Sequence, residues 1–178
     1  MKEVVRPLLS AEDIARRVGE VAADISRDYE GKTVTLICVL KGGVMFMVDL
    51  CRKLTVPVEF DFIDTSSYGD ATVSSGVVKI EKDLKNPVTG KDVVLVEDII
   101  DTGLTLSHLY KHLMAHNPAS LKVCALLLKK ERWVVTDVKP DYIGFEIPNE
   151  FVVGYGLDYA QKYRNLEHVG VLEFIEGK

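Results

Sequence analysis

The 178-residue sequence predicts one α/β domain in which helices flank a central, mainly parallel sheet. Three short runs of mainly apolar residues, at 33–40, 93–96 and 121–128, predict strands that are buried on both faces. Each of the first two runs is followed by a segment with helical spacing of apolar residues, which is typical of right-handed strand–helix–strand crossovers. A chain of this length buries roughly 70% of its unfolded surface, so one core is expected.

In the first half of the chain, apolar spacing predicts helices and strands in alternation. The predicted elements are a helix at 10–28, a strand at 33–40, a helix at 44–54, a strand at 56–64 and a returning strand at 77–81. Ser10 is placed to cap the first helix, because its hydroxyl can accept a hydrogen bond from a free backbone N–H group. The polar, glycine-containing segment 65–76 predicts a mobile loop.

The second half predicts a further crossover and then a group of short strands. Its predicted elements are a strand at 93–96, a helix at 104–113, a strand at 121–128 and short strands at 142–145, 151–153 and 169–174. We expect the last three to form a small cap, or hood, beside the sheet, with a contribution from the N-terminal segment. A second domain is not expected.

Composition excludes several classes of protein. The net charge of −5 gives no broad basic surface, so nucleic acid is not an expected partner. Apolar runs are too short to span a membrane. The three cysteines, Cys38, Cys51 and Cys124, lie in apolar stretches without a C-x-x-C pair, which favours reduced core thiols in a cytoplasmic protein.

The segment VVLVEDIIDTGLT at 93–105 predicts a ligand site, since a buried strand runs into two carboxylates and a glycine turn. Ligands of open parallel sheets bind beyond the carboxyl ends of the strands. Glu97 and Asp98 are predicted at the strand end, where carboxylates can bind sugar hydroxyls or a hard cation such as Mg²⁺. Residues 101–105 then turn into a helix whose backbone N–H groups and threonine hydroxyls suit a phosphate.

This segment resembles the 5-phosphoribosyl-1-diphosphate (PRPP) motif of type I phosphoribosyltransferases. The resemblance implies that phosphate and ribose contact Glu97, Asp98, Asp101, Thr102, Gly103, Leu104 and Thr105. Leu104 stands where some members have lysine, a departure of little consequence because most donors of such a cradle are backbone groups. The alternative is that Asp101 or Thr102 only caps the helix, but capping does not explain two adjacent acids at the end of a buried strand.

A second strand ends in Lys41, Gly42 and Gly43. Read alone, two glycines after a strand usually form a simple turn. In the context of the family, the segment resembles the loop that binds pyrophosphate, with Lys41 supplying positive charge and Gly42 allowing backbone donors to approach. The resemblance also implies a cis peptide bond between Leu40 and Lys41.

The chain also resembles the purine end of hypoxanthine-guanine phosphoribosyltransferases, at residues 129–130 and 151–166 and in a Ser-Tyr loop, so the similarity spans nearly the whole sequence. It implies that Phe151 stacks on the base and that the Val152 backbone reads the edge of the base. Asp158 and Arg164 are implied near the base and the pyrophosphate, with Asp158 also holding the metal. The residues implied to close over the pyrophosphate as a mobile loop are Ser67 and Tyr68.

The resemblance further implies a lysine that donates to the exocyclic O6 of the base. Counting back from Asp141 favours Lys130, whereas alignment through Glu131 and Arg132 favours Lys129. On a strand the two lysines point to opposite faces, so only one can reach the base. Both remain candidates, with Lys130 as the expected catalytic residue.

The implied reaction is Mg²⁺-dependent transfer of the phosphoribosyl group of PRPP to N9 of hypoxanthine or guanine. Glu97, Asp98 and Asp158 are the expected metal ligands, Lys41 balances charge on pyrophosphate, and Asp101 shares a proton with N7 of the purine. The expected partners are PRPP, a 6-oxopurine base and further copies of the chain in a homodimer or homotetramer. The alternatives are a regulatory protein that binds PRPP without catalysis and an enzyme for another base, although a lysine donor suits O6 rather than the amino group of adenine.

Three histidines, His108, His112 and His116, recur every four residues in and after the helix at 104–113. Neighbouring histidines at this spacing share a face and could hold a metal ion. The sequence shows no convergent cysteine or acidic residue as a third ligand. A solvated helix face is therefore expected.

Overall fold

The computed structural model describes residues 1–67 and 78–176 and confirms the predicted α/β class. Its elements are β1 (Lys2–Leu9), α1 (Ala11–Asp28), β2 (Val34–Leu40), α2 (Val44–Lys53), β3 (Val58–Ser67), β4 (Val78–Lys82), β5 (Asp92–Ile100), α3 (Leu104–Met114), β6 (Ser120–Leu128), a 3₁₀ turn (Lys130–Arg132), β7 (Tyr142–Glu146), β8 (Val152–Val153) and β9 (Val169–Ile175). Ser10 caps α1 as predicted, because its Oγ accepts a hydrogen bond of 3.0 Å from the N–H group of Asp13.

The main sheet has six strands in the order β4-β3-β2-β5-β6-β7. All neighbours are parallel except β3 and β4, which are antiparallel. Because β2, β5 and β6 are adjacent and parallel, their carboxyl ends meet at one edge of the sheet. The fold therefore brings the segments after residues 40, 100 and 128 together, although they are far apart in the sequence.

Alternating side chains of the central strands fill two cores, one on each face of the sheet. Leu36 and Cys38 of β2 pack with the buried residues of α1 and α2, whereas Ile37 and Val39 pack with those of α3. All three cysteines are free, and Cys38 and Cys124 are buried. Burial raises the pKa of Cys38 to about 12, so this thiol stays protonated and unreactive at neutral pH.

The predicted hood is a separate antiparallel sheet in the order β1-β9-β8, built from both ends of the chain. One predicted member is wrong, since β7 pairs in parallel with β6 and extends the main sheet. The predicted loop at 65–76 is wrong at its start, where β3 continues to Ser67. Among the described residues, no helix is both long and apolar enough to cross a membrane.

Candidate active site

Two cavities lie at the carboxyl end of β5. The cradle cavity, of about 100 Å³, is lined by Glu97, Ile99, Ile100, Asp101, Thr102, Gly103, Thr105 and Leu106. The hood cavity, of about 240 Å³, is lined by Asp98, Ile99, Asp101, Lys129, Phe151, Val152, Leu157 and Asp158. Asp101 lines both cavities, so it stands where the two meet.

Cavity size alone does not identify this site. A larger cavity of about 560 Å³ lies between α1 and residues 53–57. Its only carboxylate is that of Glu30, and it lies away from the carboxyl ends of the parallel strands. The two smaller cavities instead gather carboxylates, a lysine and a helix N-terminus, which are the groups that bind charged ligands.

The turn between β5 and α3 shapes the cradle cavity. Gly103 has a φ of +85°, which side chains rarely adopt, and an added Cβ would lie 2.6 Å from Cγ2 of Val135. Helix α3 begins immediately afterwards at Leu104, whose N–H group donates to Oγ1 of Thr102 at 3.4 Å. The first turn of α3 therefore points backbone N–H groups at the cavity, as an anion site requires.

Glu97 and Asp98 are adjacent but line different cavities. Both lie within β5 rather than at its end, because the strand continues to Ile100, which corrects the predicted boundary. Burial and the neighbouring Asp98 carboxylate raise the pKa of Glu97 well above its usual value. Burial also raises the pKa of Asp98 to about 6, against the effect of the Ile99 N–H group, which donates to Oδ1 at 2.7 Å.

The turn after β2 lies against the Asp98 carboxylate. A Cβ added at Gly42 would lie 1.6 Å from Oδ2 of Asp98, so glycine is required for this contact. The peptide bond between Leu40 and Lys41 is cis, as the resemblance implied, and Lys41 is exposed. A Cβ added at Gly156 would lie 2.2 Å from the Gly42 carbonyl oxygen, so the loop after β8 packs directly on this turn.

Asp158 and Arg164 form an ion pair beside the hood cavity. Nη2 of Arg164 lies 2.8 Å from Oδ1 of Asp158, and Nη1 donates to the Gly156 carbonyl at 2.7 Å. The backbone N–H group of Gln161 donates to Oδ2 of Asp158 at 2.8 Å. These contacts fix both side chains close to Asp98, whose pKa Arg164 lowers and Asp158 raises.

The wall of the hood cavity carries an exposed aromatic ring. Phe151 keeps 53% of its surface exposed, and its ring meets Tyr159 edge to face at a centroid distance of 5.9 Å. Val152 is buried in β8, and Leu157 adds a further apolar side chain to the wall. An exposed ring above an apolar wall suits a flat ligand that stacks on one face.

Lys129 and Lys130 have different surroundings, and the difference favours Lys129 over the expected Lys130. Lys129 is 9% exposed and lines the hood cavity, with its Nζ 4.0 Å from Oδ2 of Asp101. Lys130 is exposed, and its Nζ lies 3.4 Å from Glu146 outside the cavity. The reason is local: the Lys129 N–H group donates to the Ile100 carbonyl at 2.9 Å, and the chain then leaves the strand in a 3₁₀ turn at Lys130.

Arg132 contacts the Asp101 carboxylate, a contact that the sequence analysis did not predict. Its Nε donates to Oδ1 of Asp101, so Lys129 and Arg132 flank that carboxylate. The two partners are 31 positions apart in sequence, a separation that leaves no short-range signal. Of the implied mobile loop, the backbone of Ser67 ends β3, whereas Tyr68 lies outside the described residues.

Comparison with known proteins identifies relatives over almost the whole chain. The family model of the phosphoribosyl transferase domain matches residues 5–160. The hypoxanthine-guanine phosphoribosyltransferase of Mycobacterium tuberculosis is 49% identical, over 93% of this chain and 85% of the relative. That of Bacillus subtilis is 46% identical, over 96% and 94% of the two chains. A crystal structure of a hypoxanthine-guanine phosphoribosyltransferase from Bacillus anthracis has a TM-score of 0.91 and 45% identity, covering 97% of this chain and all of that one.

Proposed function

Because the chain belongs to the hypoxanthine-guanine phosphoribosyltransferases, we propose that the cradle cavity holds the ribose phosphate of PRPP and the hood cavity holds the purine. The chain is a purine-salvage enzyme that transfers the 5-phosphoribosyl group of PRPP to hypoxanthine or guanine with release of pyrophosphate. The observation that supports this division is the position of Asp101, which lines both cavities. A residue there reaches the ribose and the base together.

In the cradle cavity, the 5-phosphate takes the backbone N–H groups and hydroxyls of residues 102–105. Glu97 and Asp98 hold the ribose hydroxyls from the two sides of β5. Lys41 and Arg164 lie on the pyrophosphate side, where Gly42 lets backbone N–H groups approach the leaving group. Positive charge develops on the ribose ring as pyrophosphate departs, so carboxylates beside the ring lower the barrier electrostatically.

Mg²⁺ fits the oxygen ligands of this site. Asp98 and Asp158 both line the hood cavity, and burial together with the like charge of Asp158 raises the pKa of Asp98, so a cation here would stabilise the ionised carboxylate. Glu97 lines the cradle cavity instead, so of the three expected ligands it is the one separated from the other two. When bound, the ion neutralises charge on pyrophosphate.

In the hood cavity, Phe151 stacks on the purine and the Val152 backbone contacts the edge of the base. Lys129 donates a hydrogen bond to O6, because its Nζ is at the cavity while that of Lys130 is paired with Glu146. As the bond between C1′ and N9 forms, the bond between C1′ and the pyrophosphate oxygen breaks. Asp101 then accepts the proton that leaves N7 of the purine.

The base enters a site where Asp101 already has partners. The carboxylate of Asp101 accepts from Arg132 and lies 4.0 Å from Lys129. Two cationic side chains therefore lie beside the carboxylate that accepts the proton in the proposed mechanism. Purine binding redirects Lys129 towards O6 and leaves Arg132 to orient the carboxylate.

We also propose that the enzyme is cytoplasmic and a homodimer or homotetramer, as the resemblance implied. The buried free thiols of Cys38 and Cys124 accord with a reducing compartment. Light scattering on the purified protein, over a range of concentrations, measures the mass of the assembly. A monomer at all concentrations contradicts the proposed assembly and leaves the proposed chemistry intact.

The activity is tested with purified protein, PRPP and single bases. Nucleotide formation is measured with hypoxanthine, guanine, xanthine and adenine, each with Mg²⁺ and with a chelator. We expect product with hypoxanthine or guanine, little with adenine, and loss of turnover on chelation. PRPP binding without product from any 6-oxopurine supports the regulatory alternative instead.

A further inference from the structure

A second group of metal-ligating side chains lies where α3 ends, away from both cavities. Within the described residues, Asp83, His112 and His116 each place one ligand atom within 4.8 Å of the other two. The expectation that no acidic side chain converges on these histidines is therefore wrong. Asp83 follows β4 and is 29 residues from His112, so only the folded chain brings it there.

The distances are close to those of a coordination shell. Nε2 of His112 lies 3.0 Å from both carboxylate oxygens of Asp83, and the two imidazole centroids are 5.0 Å apart. Tetrahedral zinc with bonds near 2.0 Å separates its ligand atoms by about 3.3 Å. The exposed His116 ring thus needs a shift of at most about 1.5 Å to complete the shell, a small rotamer adjustment.

Backbone contacts hold the ligands from two segments. The Leu84 N–H group donates to Oδ1 of Asp83 at 2.7 Å, which orients the carboxylate. The hydroxyl of Thr89 donates to the His116 carbonyl at 2.9 Å, which fixes the turn after α3. These contacts hold the exposed carboxylate of Asp83 beside the His112 ring, where it can meet a cation.

We propose that Asp83, His112 and His116 bind a divalent transition-metal ion, with zinc as the probe. Two imidazoles and a carboxylate suit zinc and its neighbours in the d-block, whereas Mg²⁺ prefers oxygen ligands alone. The site is thus distinct in chemistry from the carboxylates at the cavities. Three protein ligands leave one position for water, in keeping with the exposure of Asp83 and His116.

Metal binding at this site joins the end of α3 to the segment that follows β4. In the absence of metal, the described contacts between them include the hydrogen bond between His112 and Asp83. A shared metal adds His116 to that link, and a ligand that binds only the folded state raises the melting temperature. The expected effect is on stability, since none of the three residues lines either cavity.

The test is a calorimetric titration of tag-free protein with zinc chloride in excess Mg²⁺, which occupies the carboxylates of the active site. The wild type should bind one zinc per chain. His116→Ala, which keeps the Asp83–His112 pair, should weaken zinc binding by at least about tenfold. His108→Ala removes an exposed histidine one turn earlier on the same helix and should bind zinc like the wild type.

Two further readouts separate coordination from a general loss of stability. At a free zinc concentration one hundred times Kd, the melting temperature of the wild type should rise by about 5 °C, and that of His116→Ala should not. Cobalt in place of zinc should give visible absorption bands in the wild type and in His108→Ala, but not in His116→Ala. If His116→Ala does not fold, Asp83→Asn replaces it in the same comparison. Equal zinc affinity in the wild type and in the folded ligand variants, or no zinc binding by the wild type, overturns the proposal.

Discussion

The two halves of the active site are built in different ways. The cradle cavity is formed by one continuous segment, in which a strand, a glycine turn and a helix N-terminus present mainly backbone donors. The hood cavity is assembled from side chains of β5, the end of β6 and the loop around β8. The difference implies that ligand binding in the cradle cavity tolerates side-chain changes but not backbone shifts. Ligand binding in the hood cavity instead depends on single side chains.

The largest effect is expected where the halves meet. Asp101→Asn removes the proposed proton acceptor and should lower kcat by about 10²- to 10⁴-fold, with small changes in KM for both substrates. Steady-state kinetics with hypoxanthine and PRPP measure the effect. Asp137→Asn, which removes a carboxylate outside both cavities, is the control and should keep near-normal kcat. A large rise in KM for PRPP, with KM for hypoxanthine unchanged, would mean that Asp101 acts only in the phosphate half.

A backbone change should mainly affect the phosphate half. Gly103→Ala places a Cβ at a residue with a φ of +85° and 2.6 Å from Cγ2 of Val135, and the displaced turn of the cradle cavity should lower kcat/KM for PRPP by about 100-fold. Binding of the base to the free enzyme should change little, which equilibrium dialysis can measure. Gly19→Ala adds a Cβ in α1 that lies 3.9 Å from Nζ of Lys53, an ordinary contact, and is the control, in which kcat/KM stays near that of the wild type.

A side-chain change should mainly affect the purine half. Lys129→Ala removes a charged donor and should raise KM for hypoxanthine by about 10- to 100-fold, with KM for PRPP within a few-fold. Lys130→Ala is the matched control, since its side chain pairs with Glu146 at the surface, and should change KM for hypoxanthine less than twofold. Equal losses in the two variants would contradict the geometric distinction between the lysines.

The smallest effect is expected from the stacking residue. Phe151→Leu keeps an apolar surface but loses the flat ring, so KM for the base should rise by about 2- to 10-fold. Phe174→Leu alters the far end of the same row of aromatic rings, outside the cavity, and should leave KM unchanged. No difference between the two variants would mean that the base does not stack on Phe151.

The contrast between the two cavities also explains which parts of the site could be predicted from the sequence. The cradle was predictable because all its lining residues lie within ten consecutive positions, 97–106, where strand, turn and helix each leave a local pattern. The hood cavity depends on contacts between distant segments. Lys129 was left undecided because a 3₁₀ turn, rather than a continuing strand, sets the direction of Lys130. The contacts of Arg132 with Asp101 and of Asp83 with His112 had no signal, because each joins residues about 30 positions apart.

The pairing of β7 could not be predicted from the sequence, because it too depends on a contact between distant segments. A short apolar stretch predicts a strand, but its period of two is the same whether it joins the main sheet or the hood. The choice is made by pairing with β6, in which Leu127 lies opposite Phe145. Element type was therefore readable from the sequence, whereas the partner of a short strand was not.

The contact between Gly156 and the Gly42 carbonyl constrains the evolution of two positions that are distant in the sequence. A Cβ at Gly156 would meet main chain, so no rotamer change can absorb it, and a Cβ at Gly42 would meet the Asp98 carboxylate of the active site. Substitution of either glycine should therefore be selected against. Selection for activity from a library randomised at both codons should return glycine at both, far more uniformly than a library randomised at the neighbouring exposed Met45.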